Sequence, residues 1–259
     1  MFDQLVTRQQ YGNTNLRDTD IFSDLPIQDN SLYHIYYNAF DDYVAANWTI
    51  TKVGAGTQAL VAGDGGILQN VTTGGAADSI STQKLFPSFT TQGGFRLWGR
   101  YLFSVDSLLP NMIIGKTNTT TTPFTGGQLT DGIWLSTVTG GAISINLAAG
   151  GNVKTIATGV NTVAGLANYC RFSWYWDGGD YGTLPGRVVV QVDGTGVTAP
   201  FRGEFGPNAA TTLPATYPSG VATTLQFAIQ NTTAVARTQN IDMITLMKER
   251  INILATPSI

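Results

Sequence analysis

From residue 32 onward the chain is written in short alternations of apolar and polar positions, broken by clusters of Gly, Asn, Asp and Pro. Such runs predict strands over 32–40, 47–53, 66–72, 94–105, 111–117, 132–138, 142–148, 153–159, 169–176, 186–194, 225–231 and 240–247. Because side chains switch faces at each residue of a strand, Phe172, Trp174 and Trp176 share one face and Arg171, Ser173 and Tyr175 the other. The aromatic face is core. The following DGGDYGTLPG joins this strand to Val188, Val190 and Val192 as a long hairpin, in which Gly178, Gly179, Gly182 and Gly186 can take positive φ. Near the C-terminus Ile241, Met243, Thr245 and Met247 alternate with Asp242, Ile244, Leu246 and Lys248, which predicts a strand covered on both faces rather than a helix. Many short strands with turn chemistry between them predict an all-β, two-sheet antiparallel sandwich over 32–259. The low-complexity stretch TNTTTTPFTGG, 117–127, reads as an exposed loop.

Residues 1–31 hold neither period for long and carry Asp3, Arg8, Arg17, Asp18, Asp20, Asp24 and Asp29. Phe2, Leu5, Val6, Tyr11, Ile21, Phe22, Leu25 and Ile27 are too many apolar side chains for a purely solvated tail. The segment therefore reads as an extended arm that docks on its own domain or on a neighbouring subunit, with Phe2, Leu5, Val6, Tyr11, Phe22 and Ile27 as anchors.

Composition narrows the function. Only 12% of the 259 residues are charged, against roughly 25% in an ordinary soluble domain, so the surface is polar mainly through Thr, Asn, Gln, Ser and Gly. With 14 Lys+Arg against 17 Asp+Glu the net charge is -3, which supplies no basic footprint for nucleic acid. No apolar run is long enough to cross a membrane as a helix. Met1-Phe2-Asp3-Gln4 opens no basic-then-apolar leader, so no secretory signal is expected.

The candidate chemistry is sparse. His34 is the single histidine and Cys170 the single cysteine, both in predicted strands, so an intrachain disulfide and a four-ligand Cys/His zinc site are excluded. Glycoside hydrolysis needs two carboxylates across the scissile bond, yet Glu204 and Glu249 are the only glutamates and neither has an Asp two residues on. Asp41, Asp42, Asp177 and Asp180 lie in turns, where Asp is a turn former. Calcium would be the ion for the loop carboxylates Asp64, Asp177, Asp180 and Asp193, but no Asp-x-Asp-x-Asp-Gly array is present, and no cofactor is expected. Of the tryptophans, all in predicted strands, Trp134 follows Asp131-Gly132 and is the one expected near a rim, where it could contact a glycan.

The order of YYNAFDDYVAANWTIT, GDGGILQNVTT, GFRLWGRYLFSV, LTDGIWLST, RFSWYWDGG, GRVVVQVDG and LQFAIQNTTAVARTQNIDMITL resembles the concanavalin A-like, laminin-G-like jelly roll, with Asn240 to Ile244 matching its closing strand. The resemblance covers about 33–250 and speaks to architecture more than function, since this fold carries lectins, hydrolases and structural proteins. Together with the arm and the low charge, the chain also resembles virion structural proteins of tailed bacteriophages. That likeness implies a non-enzymatic capsid decoration or cement protein made in the host cytoplasm. It would sit on the virion's capsid surface as a homo-oligomer, a dimer or trimer, bound to the major capsid protein. The alternatives are a glycan-binding module of a phage fibre or spike, reading sugar through Trp134, and a lyase or glucanase with an unusual carboxylate pair.

Overall fold

The computed structural model describes residues 33–41, 43–63, 65–85, 89–90, 97–177, 186–207, 209–215, 217 and 221–249. The arm, 1–31, and its six anchors lie outside the described residues. Sixteen strands form two antiparallel sheets, with a single turn of 3-10 helix at Ala45–Asn47 among the described residues. The first sheet is built from β1 (Tyr33–Asn38), β3 (Thr57–Val61), β4 (Ile67–Val71), β7 (Leu97–Val105), β12 (Cys170–Asp177), β13 (Arg187–Asp193), β14 (Phe201–Phe205) and β16 (Thr238–Glu249). The second holds β2 (Trp48–Val53), β5 (Ser79–Lys84), β6 (Phe89–Thr90), β8 (Asn111–Thr117), β9 (Gly132–Thr137), β10 (Ala142–Ala149), β11 (Asn152–Asn161) and β15 (Ala222–Gln230).

The orders are β14-β13-β12-β7-β16-β4-β3, with β1 also beside β16, and β11-β10-β9-β8-β15-β5-β2, with β6 also beside β15. The chain folds as a concanavalin A-like jelly-roll sandwich, as expected. Four strands were not legible in the sequence: β3, β5, β6 and β14. For β5 the reason is physical. Its sequence SISTQK is polar because Ser81 and Gln83 face a loop that covers the outer face, while Thr82 joins a polar network between the sheets.

That network links the sheets. The Gln58 amide donates to Asn70 Oδ1 at 2.9 Å and to Thr82 Oγ1, and Asn70 Nδ2 donates to Gln239 Oε1 at 3.1 Å. Asn70, Thr82 and Gln239 are fully buried, and every one of them is hydrogen-bonded, which removes the cost of leaving such groups dry and unpaired.

The apolar core fills the rest of the space. Phe172, Trp174 and Trp176 do face it, and β12 pairs with β13 in the predicted hairpin, Trp174 opposite Val190. Tyr101 stacks on Phe172 with centroids 5.5 Å apart, and Phe227 from the other sheet meets Tyr101 at 6.2 Å and Trp48 at 6.1 Å. In β16 the expected simple alternation is corrected by a bulge between Ile241 and Met243, which brings Ile241, Ile244 and Leu246 to the core. One extra residue switches the parity of everything after it.

Gly99 is opposite Trp174, and a β-carbon there would lie 2.4 Å from the indole Cε2 and Nε1. Gly99→Ala is therefore expected to cost about 1–3 kcal/mol through overpacking, read as a lower Tm in a thermal melt. An unchanged Tm would show that Trp174 can move aside.

Candidate functional site

The loop 118–131 includes most of the low-complexity stretch, which is largely exposed as expected, with Pro123 buried and Phe124 half-buried. It folds back over the outer face of the second sheet. Its neck is closed by Asn118, whose Oδ1 accepts from the Thr130 and Asp131 amides at 2.8 and 3.2 Å while its Nδ2 donates to the Gln128 carbonyl at 2.8 Å. Gln83 on β5 anchors the near limb, donating to the Asn118 carbonyl at 3.0 Å and accepting from the Thr120 amide at 3.1 Å. On β15 the buried Gln226 accepts from Thr117 and donates to Ser81.

Asp131 fixes the far limb. Its carboxylate accepts from the Gly150 amide at 2.9 Å and from Thr130 Oγ1 at 2.8 Å, which ties the turn between β10 and β11 to the loop. Gly132 then has φ 129°, and a β-carbon would sit 2.0 Å from the Lys116 carbonyl, so the Asp-Gly pair is required for β9 to lie against β8.

Between this loop and the sheet runs a groove of about 330 Å³. Phe124 of the loop and Trp134 of β9 supply its aromatic surface, Leu129 and Val153 extend it, and Asn111 and Ser136 place an amide and a hydroxyl on it. Among the described residues no charged side chain lines it. Trp134 sits in the floor rather than on a rim: it is 5% exposed and packs with Ile113, Leu129, Ala148 and Ala228 in a satellite core, against which Phe124 rests half-buried. Phe124 escaped the sequence reading because it lies in a threonine-rich stretch with no period.

Other sequence candidates are placed elsewhere. His34 lies on β1 opposite Lys248. Cys170 is buried in the core, and burial, with the Asp193 carboxylate nearby, pushes its thiol well above the usual range. Glu204 pairs with Arg187 at 3.8 Å on the first sheet's outer face, far from the groove's lining. The side chain of Glu249 lies outside the described residues, as do Asp42, Asp64, Asp180 and the side chain of Asp177. Asp193 is held by Arg171 in two contacts of 2.6 and 2.7 Å and by Gln191 at 2.6 Å. Among the described residues no group of three or more His, Cys, Asp or Glu could hold a metal ion.

No family model matches this sequence, and no curated protein does. Solved structures share the fold. Peanut lectin in complex with a 9mer peptide is similar at a TM-score of 0.52 with 10% identity, over 83% of this chain and 97% of that one. The Emp47p carbohydrate recognition domain is similar at 0.51 and 14% identity, over 84% and 97%. An endo-1,3-beta-glucanase from Streptomyces sioyaensis is similar at 0.51 and 12% identity, over 85% and 98%. At such identities the likeness defines the architecture, a lectin-type sandwich, and leaves activity to the residues of the site.

Proposed function

We propose that this chain is a non-enzymatic carbohydrate-binding domain and that a neutral sugar occupies the groove between Phe124 and the second sheet. The observation that carries the reading is the lining: two aromatic rings, an amide and three hydroxyls, with no charged side chain among the described residues, in a groove of about 330 Å³. An uncharged, partly apolar ligand rich in hydroxyls suits that mixture, since pockets of this size gain affinity from apolar contact and orientation from a few polar groups. Lectins on the same fold, one of them, lectin I from Ulex europaeus, solved with the methyl glycoside of alpha-L-fucose at a TM-score of 0.50, set the ligand class to test first.

The test is a glycan array probed with the whole chain, followed by titration of the best ligand. Phe124→Ala is expected to weaken binding by about tenfold or more, roughly 1.4 kcal/mol, with little change in Tm because Phe124 is at the margin of the satellite core. Trp134→Ala is expected to lower both affinity and Tm. An array without a binder, or undiminished affinity in Phe124→Ala, overturns the proposal. Release of reducing ends from β-1,3-glucan would replace it with hydrolysis.

The capsid decoration reading draws on the arm and its apolar anchors, Phe2, Leu5, Val6, Tyr11, Phe22 and Ile27. It predicts hundreds of copies of this chain per particle by quantitative mass spectrometry, whereas a dozen or fewer would fit a glycan-reading fibre or spike.

A further inference from the structure

One polar side chain of the groove has its hydrogen-bonding sense set from outside the lining. Ser136 of β9, Asn146 of β10 and Thr155 of β11 share the outer face of the second sheet with Trp134: Asn146 is opposite Trp134 on one side and Thr155 on the other, and Ser136 is opposite Ser144. Thr155 Oγ1 donates to Asn146 Oδ1 at 2.8 Å, and Asn146 Nδ2 donates to Ser136 Oγ at 2.8 Å. Both bonds run the same way, from the exposed Thr155 towards the groove. Asn146 is 7% exposed, so its amide depends on these partners to replace water.

A serine hydroxyl has one hydrogen to donate and two lone pairs to accept with. Ser136 Oγ already accepts from Asn146, and among the described residues no group takes its hydrogen. Ser136 is half-buried in the groove's lining, whereas Asn146 and Thr155 are not part of that lining. The other polar groups there carry no such bias. Asn111 gives one amide hydrogen to Gln230 Oε1 at 3.4 Å and keeps a second hydrogen and its carbonyl oxygen, while the buried Thr137 spends its hydrogen on the Pro110 carbonyl at 3.3 Å.

We propose that Ser136 is a specificity-determining donor of the groove, oriented by Asn146 and Thr155 as positioning residues, and that it selects a sugar whose substituent at that point is a hydrogen-bond acceptor. The proposal rests on the sugar-binding reading of the groove. Successive donation along Thr155, Asn146 and Ser136 polarises the last O–H and makes it a stronger donor. A sugar that places an oxygen there gains the bond, and one that places a C–H there leaves a desolvated hydroxyl unpaired.

Calorimetric titration with the methyl glycosides of glucose, galactose, mannose and fucose tests the assignment. Asn146→Asp keeps the shape of the side chain but offers only acceptor oxygens at pH 7, so it takes the Ser136 hydrogen and turns a lone pair to the groove. The best of the four glycosides is expected to bind Asn146→Asp, and likewise Ser136→Ala, roughly tenfold or more weakly than the unaltered chain. At about pH 4, where an aspartic side chain takes up a proton, the new carboxyl can donate to Ser136 as the amide does. Affinity relative to the unaltered chain should then recover in Asn146→Asp and not in Ser136→Ala. If Asn146→Asp unfolds, the monodeoxy and monodeoxyfluoro forms of the same glycoside decide on the unaltered chain. At one ring position fluorine, which accepts and cannot donate, is expected to bind within about threefold of the hydroxyl, and hydrogen about tenfold more weakly. Undiminished affinity in Asn146→Asp at pH 7, a loss that pH 4 does not reverse, or fluoro forms all as weak as the deoxy forms overturns this inference and leaves the sugar-binding reading standing. Should none of the four glycosides bind the unaltered chain, the inference falls, and the glycan array decides the reading beneath it.

Discussion

Phe227→Ala is expected to destabilise the protein by about 3–5 kcal/mol, the range for removing a buried aromatic side chain and leaving a cavity. Phe227 is 0% exposed and lies on β15, in the middle of the second sheet, yet its ring contacts reach Tyr101 on β7 of the first sheet as well as Trp48 on β2. Tyr101 in turn stacks on Phe172. The truncation thus opens a void where the two sheets meet, and close-packed neighbours relax only partly into it. A urea titration checks the prediction through a lower midpoint at unchanged slope. Ile50, a partly buried residue at the edge of the same core, provides the contrast: Ile50→Val is expected to cost about 0.5–1.5 kcal/mol at most.

The second large effect is a pH dependence set by Lys116. This lysine points from β8 into the sandwich between Leu225 and Ile133, is 1% exposed, and has its ammonium pushed down to about 7 by burial and then by Lys248. Burial also lowers Lys248 on β16 and Lys84 on β5, whose Nζ lies 4.8 Å from the Tyr36 ring centroid and 5.1 Å from that of Trp48. Three of the five lysines therefore serve one end of the interior. An unfolded lysine titrates near about 10.4, so between about 7 and that value the unfolded chain holds a proton that folded Lys116 does not. Stability should therefore rise with pH across this window, by up to about 1.4 kcal/mol per pH unit from this group, with the burial cost fully present below about 7. Lys116→Met is expected to be more stable than the unaltered chain at pH 7 and to flatten the slope. Urea titrations of both proteins from pH 6 to pH 10 decide it, and parallel curves would falsify the assignment.

The candidate site was legible only in part. Trp134 stood out because Asp131-Gly132 marks a turn ahead of an aromatic strand, and the structure does put it in the groove, but as floor rather than rim. Its partner Phe124 had no local signal. What places Phe124 is the pinning of 118–131 by Asn118 at its neck, by Gln83 of β5 and by the contact of Asp131 with Gly150; the last two reach outside the loop to other strands and turns, where no pattern within the loop announces them. Lys116 reads as an ordinary alternating strand residue for the same reason: its parity with Ile114 is visible, but the first sheet, which packs over that face of β8, is not.

What the sequence by itself determined is local and periodic. Alternation of period two marked twelve strands and set the inward face of β12, and Gly- and Asp-rich breaks marked the β12–β13 hairpin, because pleat and turn geometry depend on adjacent residues. The tertiary structure alone decided which strands are neighbours, with β7 between β12 and β16 and β15 between β8 and β5. It also decided the bulge that resets β16, the strands β3, β5, β6 and β14, and the loop that makes a groove of a flat sheet. These depend on pairing and burial between distant segments, where one residue of register reverses inside and outside.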